Sequence, residues 1–325
     1  MTSRTFAKQG HNLSLSLSLS LFPLTVLFSL FINELAIEVI RNGRHGATFS
    51  AEPFELFILL LADDVILMSE SVVGLQNQLN NLHNAAVALD LNVNLHKSNI
   101  IVFRKGGYLS ARERWFYDGS IMPVVNVYKY LGIFFSTKLS FMVACKDLAS
   151  RGKNALLCVM QKLYMLDNNS LQIFLKIFDT KIQPIVQYGA ELWGLEKAAD
   201  ECEKVHLYAL KRFLGVDRRT PNDLIYGETN RYSIVINSII RCIKFWLKLV
   251  CMGEDRLPHK AYNMLMHLDA RGKQTWVTKV KTCLFEYGYG HVWLNQGVGD
   301  IQMFICNFRQ RLIDCNWQTW QHHIQ

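Results

Sequence analysis

The residues best suited to chemistry are two adjacent carboxylates, Asp63 and Asp64, which lie between two short apolar runs. The runs Phe57–Leu61 and Val65–Met68 contain only Phe, Ile, Leu, Val and Met. Their length and composition favour two buried strands over one helix. The residues Ala62–Asp64 then form a tight turn, where Asp is frequent because its short side chain bonds nearby backbone groups.

Two carboxylates at the tip of a buried hairpin repel each other and gain little from packing. A bound cation is the usual remedy, and hard cations such as Mg²⁺ take oxygen ligands. Two such ions can stabilise the attacking and leaving oxygens of phosphoryl transfer. An Asp-Asp pair in a turn is more often a solvated loop tip, so the pair by itself leaves both interpretations open.

Further motifs follow this pair in a fixed order along the chain. They are Ser69-Glu-Ser71, Gly74-Leu-Gln76, Asn94-Leu-His-Lys-Ser98 and Tyr128-Lys-Tyr-Leu-Gly132. Together with Leu61-Ala-Asp-Asp64, this series resembles the reverse transcriptases of LINE-type (non-LTR) retrotransposons, which are RNA-directed DNA polymerases. Upstream, Pro23–Leu35 resembles the helix that follows the Gln-Gly-x-Pro-Leu-Ser-Pro block of that family.

The resemblance implies a role for each matched residue near the carboxylates. Asp63 matches the metal-binding aspartate of the palm and Asp64 its neighbour, so both are candidate catalytic and metal-binding residues with Mg²⁺ or Mn²⁺ as the expected ion. Lys97 matches a lysine that lies near the incoming triphosphate as a counter-charge or proton donor. From the residues alone, Lys97 is equally a solvated loop lysine.

The Tyr128–Gly132 segment matches the primer grip of the family, a hairpin that holds the primer end towards the metal ions. Lys129 would then face phosphate, Tyr128 or Tyr130 would face sugar or base, and Gly132 belongs to the same candidate nucleic-acid-binding set. The partners that the resemblance implies are an RNA template and a DNA primer, with no small-molecule cofactor. Without the resemblance, the tyrosines are equally ordinary core aromatics.

One part of the family's catalytic centre has no match in this chain. Polymerisation needs carboxylates on two palm strands, and the earlier strand should precede the Pro23–Leu35 helix, yet residues 1–22 contain no Asp or Glu. The fingers and the endonuclease domain have no match either, and Leu61 stands where an aromatic residue is usual. We therefore expect weak or absent metal binding and no DNA synthesis by this chain alone, as in a truncated element.

The fold that the resemblance implies is α+β. A partial palm, an antiparallel sheet with helices on one face, would be followed by an all-helical thumb and a helical extension. The expected boundaries are a low-complexity, disordered start over 1–20, the palm over 21–139, the thumb over 140–215 and the extension over 216–325. Without the earlier strand the sheet would have an open edge.

Hydrophobic periodicity and turn residues predict the local elements independently of the resemblance. The predicted elements are a buried helix over Leu24–Ile40, an amphipathic helix over Val72–Leu89, a strand at Ile100–Phe103, two strands within Val125–Ser136 around Leu131-Gly132, one long helix after Phe141, and a helix over Leu171–Ile182 that Ser170 caps and Pro184 ends.

The chain has 325 residues, a hydrophobic fraction of 50%, a formal net charge of +8 and a pI of about 9.0. A basic balance of this size suggests a polyanionic partner. The candidate phosphate-binding residues form two groups: Lys211, Arg212, Arg218 and Arg219 around Gly215, and Arg241, Lys244 and Lys248 at helical spacing. A solvated helix face explains the same spacing, so a non-catalytic nucleic-acid-binding remnant is the alternative function.

The chain also carries two signals that bear on its compartment. Its eight cysteines have no paired short spacing, which is typical of reduced intracellular thiols in the cytoplasm or nucleus. The late set Cys306, Cys315, His322 and His323 does not have the spacing of a zinc site. In contrast, residues 12–33 carry no charge and follow Arg4 and Lys8, so membrane anchoring through this segment is a third hypothesis.

Overall fold

The computed structural model describes residues 30–41, 46–49, 54–104, 106–165 and 170–324. The chain divides into two compact units, residues 1–128 and 129–325. The described secondary structure is α+β, with helices and small β-strand pairs. The coarse fold class predicted from the sequence is therefore confirmed.

The strands are short and occur in the first 136 residues. They are β1 (Ala47–Phe49), β2 (Phe54–Leu56), β3 (Ile58–Leu61), β4 (Asp64–Leu67), β5 (Phe116–Tyr117), β6 (Ser120–Ile121), β7 (Val127–Tyr130) and β8 (Ile133–Ser136). They pair as β1–β2, β3–β4, β5–β6 and β7–β8, with the first three pairs antiparallel. Within the described residues these are four separate two-stranded pairs, whereas one antiparallel sheet was predicted.

The helices follow in chain order and dominate the second unit. They are α1 (residues 30–41), α2 (Val72–Ala88), α3 (Met142–Met165), α4 (Leu171–Ile177), α5 (Gln183–Val186), α6 (Ala190–Trp193), α7 (Asp200–Leu214), α8 (Asn222–Thr229), α9 (Val235–Val250), α10 (Leu257–Ala270), α11 (Trp276–Glu286), α12 (Gly290–Leu294) and α13 (Ile301–Ile324). A π-helical turn at Phe178–Ile182 precedes α5, and a 3₁₀ turn at Lys197–Ala199 precedes α7.

The first unit packs around α2, the amphipathic helix that the sequence predicted. Ser71 caps its N-terminus, where the Ser71 hydroxyl accepts a hydrogen bond from the Gly74 amide at 3.0 Å. Leu79 and Leu82 on its inner face pack with Ile32, Leu35 and other apolar side chains of α1 and β3–β4 in one core. The buried Gln78 amide donates to the Met68 carbonyl at 2.8 Å, which fixes α2 beside the end of β4.

One predicted strand of the first unit is wrong. Ile100 makes a single isolated bridge to Val124, and residues 101–104 form no regular structure. The apolar run Ile100–Phe103 has the composition of a strand, but a strand forms only where a second strand pairs with it. The bridge to Val124 supplies that pairing at one residue.

The second unit begins within β7 and contains two hydrophobic cores. The first core joins β8, α3, the α4–α6 segment and α7, and it includes the fully buried Leu156, Phe174 and Trp193. Gly152 lies on α3 in this core, and an added Cβ would meet Val186 Cγ1 at 2.2 Å. A glycine is therefore required where α3 passes α5.

Pro184 does not end the helix that begins at Leu171, contrary to the sequence prediction. The helix changes to a π-helical turn at Phe178–Ile182, and the chain continues as α5 to Val186 with Pro184 in its first turn. The Gln183 amide bonds the Phe178 carbonyl, five residues earlier. A π-turn widens the backbone locally, so the proline ring is accommodated without ending the helix. Ser170 precedes α4 as predicted, but its side chain makes no capping hydrogen bond.

Glu203 joins three helices of the second unit through its carboxylate. Oε1 accepts the Tyr226 hydroxyl of α8 at 2.7 Å and contacts His206 Nδ1 at 2.9 Å. Oε2 accepts the Ser233 hydroxyl at 2.5 Å and the Ile234 amide at 2.7 Å, just before α9. Burial and the Glu203 carboxylate raise the pKa of Tyr226, so this phenol stays protonated as a donor.

The second core of this unit is built from α9 to α13. Trp246 stacks on Trp293 with ring centroids 5.7 Å apart, and its Nε1 donates to the Tyr262 hydroxyl at 3.1 Å. Lys244 and Lys248 of α9 are exposed, whereas Ile243, Trp246 and Leu247 on the other side of the helix are buried. Lys244 and Lys248 therefore lie on an exposed face of α9, away from this core.

All eight cysteines are free thiols. None of the helices in the described ranges has the length and apolar character needed to span a bilayer. The segment 12–33, on which the anchoring hypothesis rests, lies outside those ranges except for residues 30–33.

Candidate functional site

The Asp63–Asp64 pair lies on a β-hairpin, as its sequence context predicted. Strands β3 and β4 are antiparallel with Leu61 opposite Asp64 and Ile58 opposite Leu67. A further hydrogen bond from the Met68 amide to the Phe57 carbonyl, at 2.8 Å, extends the pairing beyond the strands. The turn itself is Ala62–Asp63, one residue shorter than predicted, because Asp64 is already the first residue of β4.

The hairpin turn places Ala62 in the left-handed region, with φ of 51°. Only glycine adopts this conformation without cost, and other residues pay about 1–2 kcal/mol. Asp63 is exposed at the tip and Asp64 is half-buried. Across the described residues, no hydrogen bond or ion pair reaches either carboxylate, so their oxygens are open to solvent and to a ligand.

The residues present supply only part of a two-ion polymerase centre. Asp63 and Asp64 offer carboxylate oxygens, the ligand type that Mg²⁺ prefers, but each ion takes about six ligands. Among the described residues, no three or more His, Cys, Asp or Glu side chains lie together where they could hold a metal ion. These two carboxylates alone therefore do not fit a centre that binds two ions.

The structure brings two other predicted site residues together in the first unit. The Tyr128 hydroxyl donates to the Lys97 carbonyl at 3.2 Å. Lys97 lies in the turn after α2, which the Ser98 hydroxyl stabilises by donating to the Asn94 carbonyl at 2.8 Å. The Lys97 side chain is exposed, so its ammonium is accessible while its backbone is fixed.

The predicted Leu131-Gly132 turn is present between β7 and β8, and both residues have positive φ, 47° and 83°. Two positive φ angles in a two-residue turn are typical of a tight hairpin with the twist of its strands. The Tyr188 hydroxyl donates to the Leu131 carbonyl at 3.0 Å, and Arg151 Nη2 donates to the Gly132 carbonyl at 3.2 Å. Both turn carbonyls are therefore held by side chains of the second unit.

Gly132 is required at this turn for space as well as for conformation. A Cβ at this position would lie 3.1 Å from Tyr188 Cε1. Leu131 also has its backbone in the left-handed region, although it is not a glycine, and its side chain is 47% exposed. The strain at Leu131 persists because Tyr188 and Arg151 hold the turn from two directions.

Lys129 does not extend freely from the hairpin. Its Nζ lies 3.9 Å from Asp147 Oδ2 and 5.1 Å from the centre of the Phe134 ring. Asp147 also pairs with Arg151 Nη2 at 2.8 Å, so one carboxylate serves two cations. Asp147 therefore offsets part of the field of the exposed Lys129 ammonium, and Tyr130 beside it is half-buried.

The seven basic candidates differ in how available their charges are. Arg241 is half-buried, lies 3.7 Å from Glu191 Oε1 and donates to the Gln187 carbonyl at 3.3 Å. The Lys211 ammonium donates to the Arg218 carbonyl at 3.0 Å. These two cations bind their own chain. The remaining five are exposed and form no ion pair with the described residues: Arg212, Arg218, Arg219, Lys244 and Lys248.

Sequence reasoning missed Arg151 and Tyr188, whose side chains hold the Leu131-Gly132 turn, and Asp147, which pairs with Arg151. It also missed Lys153 of α3, whose Nζ lies 4.9 Å from the centre of the Tyr208 ring of α7. The hydrogen-bond partners of Arg151 and Tyr188 are 19 and 57 positions away in the chain, so no local pattern marks these two residues.

Comparisons with protein-family models, with curated proteins and with solved structures find no match to this chain. The relation to LINE-type reverse transcriptases therefore stays a prediction. It rests on the order of five motifs in the sequence.

Proposed function

We propose that this chain belongs to the LINE-type reverse transcriptases and that its activity is nucleic-acid binding. Residues 129–325 hold the phosphate backbone, and the Asp63–Asp64 hairpin is a catalytic element without its partner ligands. The chain alone does not synthesise DNA, because the carboxylates that the motifs assign supply too few metal ligands for the two-ion chemistry.

The observation that carries the proposal is the distribution of charge between the two units. Residues 129–325 contain 26 Lys and Arg against 17 Asp and Glu, whereas residues 1–128 contain 9 against 10. The whole positive excess therefore belongs to the helical unit. A concentration of Lys and Arg in one part of a protein is typical of proteins that bind the phosphates of nucleic acids.

The ion pairs of the second unit support the same conclusion. Several of its acids pair with cations of the same chain, as in Lys204–Glu201 at 2.7 Å and Lys281–Asp269 at 3.2 Å. In contrast, Arg212, Arg218 and Arg219 cluster around one turn with only the Asp217 carboxylate between them, and that carboxylate accepts the Arg219 backbone amide at 2.7 Å. These three guanidinium groups are left for an external anion.

The family assignment rests on the motifs and is supported by local structure. The Asp63–Asp64 pair lies on a tight hairpin, and Tyr128–Gly132 leads into a second tight turn. Both are the local forms that the resemblance implied. The Tyr188 and Arg151 contacts hold the second turn rigid, as expected for an element that positions a primer.

The test is binding of the full chain to a fluorescently labelled RNA–DNA primer–template duplex, followed by anisotropy over a range of salt concentrations. We expect affinity that falls linearly with the logarithm of salt, with a slope of about −0.9 for each phosphate contact. Replacing Arg218 and Arg219 by Gln should make the slope about 1.8 units shallower. An affinity that salt does not change, or no binding at low salt, contradicts the proposal.

A primer-extension assay with Mg²⁺ or Mn²⁺ tests the second part of the proposal. We expect no template-dependent incorporation by the full chain. Incorporation that disappears in Asp63→Ala but survives in Asp118→Ala, an exposed aspartate on another turn of the same unit, would show that the hairpin still catalyses. RNA-directed DNA synthesis would then replace binding as the function.

A further inference from the structure

A contact between α3 and α7 extends the basic surface beyond the residues assigned above. The Lys153 ammonium lies over the Tyr208 ring, 4.9 Å from its centre. The two helices pack against each other beside this contact, since a Cβ at the neighbouring Gly152 would lie 3.7 Å from Val205 Cγ1 of α7. Lys153 itself is exposed, and none of the described residues forms an ion pair with it.

The contact is continuous with the basic turn at Gly215. Arg212 follows Tyr208 by four residues on α7, so the two side chains are neighbours on one helix face. The Lys211 ammonium donates to the Arg218 carbonyl at 3.0 Å, which fixes the 216–219 segment against the last turn of α7. Four exposed cations therefore lie on adjoining elements, namely Lys153, Arg212, Arg218 and Arg219.

The acids of α7 lie at the opposite end of that helix. Asp200, Glu201 and Glu203 are in its first turn, and Lys211 and Arg212 are in its last. Lys204, one turn before Tyr208, is neutralised by Glu201 at 2.7 Å. The positive charge of α7 that no acid offsets therefore lies beyond Tyr208, towards the C-terminal end of the helix.

We propose that Lys153, Arg212, Arg218 and Arg219 form one phosphate-binding track that crosses from α3 to α7 over the Tyr208 ring. This inference rests on the proposed function and deepens it, because it adds α3 to the phosphate-binding residues. It also makes the track distinct from the exposed Lys244 and Lys248 of α9. The partner is the sugar-phosphate backbone of a nucleic acid. The Tyr208 ring holds the Lys153 ammonium in place, which reduces the entropy lost when phosphate binds.

The test compares Lys153→Gln with Lys273→Gln in the full chain. Lys273 is a matched control, because it is an exposed lysine of the same unit that lies in the turn after α10. The probe is a short labelled single-stranded RNA, and the readout is the slope of log affinity against log salt. We expect Lys153→Gln to make the slope about 0.7 units shallower and Lys273→Gln to leave it unchanged.

Tyr208→Leu tests the role of the ring separately. This variant keeps the Lys153 charge but removes its support, so we expect weaker binding with a smaller change in slope than in Lys153→Gln. Lys153→Arg keeps the charge and should retain the wild-type slope. If Lys153→Gln unfolds the chain, the comparison of Tyr208→Leu with Lys153→Arg tests whether the Lys153–Tyr208 contact contributes to RNA binding.

The outcomes separate this inference from the proposed function. If the wild-type chain does not bind RNA at low salt, both are wrong. If the wild type binds and Arg218→Gln lowers the slope while Lys153→Gln behaves like Lys273→Gln, nucleic-acid binding stands and the track does not extend onto α3. In that case the Lys153–Tyr208 contact has only a structural role, in the packing of α3 against α7.

Discussion

Replacing Gly152 by Ala should destabilise the second unit of the wild-type chain. In a chain that already carries Val186→Ala, the same replacement should stabilise it. The added methyl would meet Val186 Cγ1 at 2.2 Å, well inside the usual contact distance. Val186 is fully buried and β-branched, so it has one torsion and no free space in which to move. Overpacking of this kind costs about 1–3 kcal/mol.

The sign of the effect depends on what occupies the space beside residue 152. An Ala in a helix is favoured over Gly by about 1 kcal/mol, so Gly152→Ala should destabilise by up to about 2 kcal/mol. In a Val186→Ala background the clashing methyl is gone and the next atoms, Val186 Cβ and Val205 Cγ1, are at 3.7 Å. There the same substitution should stabilise by up to about 1 kcal/mol.

The assay is urea unfolding of four proteins: the wild type, the two single variants and the double variant. Gly253→Ala is the control, because no atom lies within 4 Å of the Cβ position there. We expect this control to change stability by less than about 0.5 kcal/mol. Equal effects of Gly152→Ala in both backgrounds would refute the steric argument and, with it, the requirement for glycine where α3 passes α5.

Three further predictions follow from the local geometry. Ala62→Gly should stabilise the hairpin by about 0.5–1 kcal/mol, because φ at Ala62 is 51°, whereas Ala111→Gly should not; thermal unfolding measures both. Glu203→Gln should cost at least about 2 kcal/mol in urea unfolding, since the amide cannot accept every donor that faces the carboxylate. Burial and, secondarily, Asp118 raise the pKa of Tyr117 to about 12, so an unfolded chain loses this proton before the folded chain does. Stability should therefore fall as pH rises from about 10 to 12, and Tyr117→Phe should make that fall shallower by up to about 1.4 kcal/mol per pH unit; an unchanged slope contradicts the assignment.

The elements that local sequence determines could be predicted from it. The α2 helix follows from apolar residues at spacings of three and four and from Ser71 at its start. The Asp63–Asp64 hairpin and the Leu131-Gly132 turn follow from turn residues between short apolar runs. In these segments the local preference and the observed structure agree, because no distant contact opposes them.

Other features depend on residues that are distant in sequence. The strand predicted at Ile100–Phe103 lacks a partner beyond Val124, and Pro184 is accommodated by a π-turn that no local pattern indicates. The single palm sheet was wrong within the described residues for the same reason, since pairing is a tertiary property. In the candidate site, Arg151 of α3 and Tyr188 after α5 contact the Leu131-Gly132 turn only through the tertiary packing of the second unit.

A salt titration of RNA–DNA duplex binding by the full wild-type chain, beside the variants Asp63→Ala and Arg218→Gln, decides which unit holds the nucleic acid. We predict salt-dependent binding that Asp63→Ala leaves unchanged and that Arg218→Gln makes about 0.9 units shallower in slope. Binding that is lost in Asp63→Ala and unaffected by Arg218→Gln would contradict the account, because the carboxylate hairpin would then hold the nucleic acid.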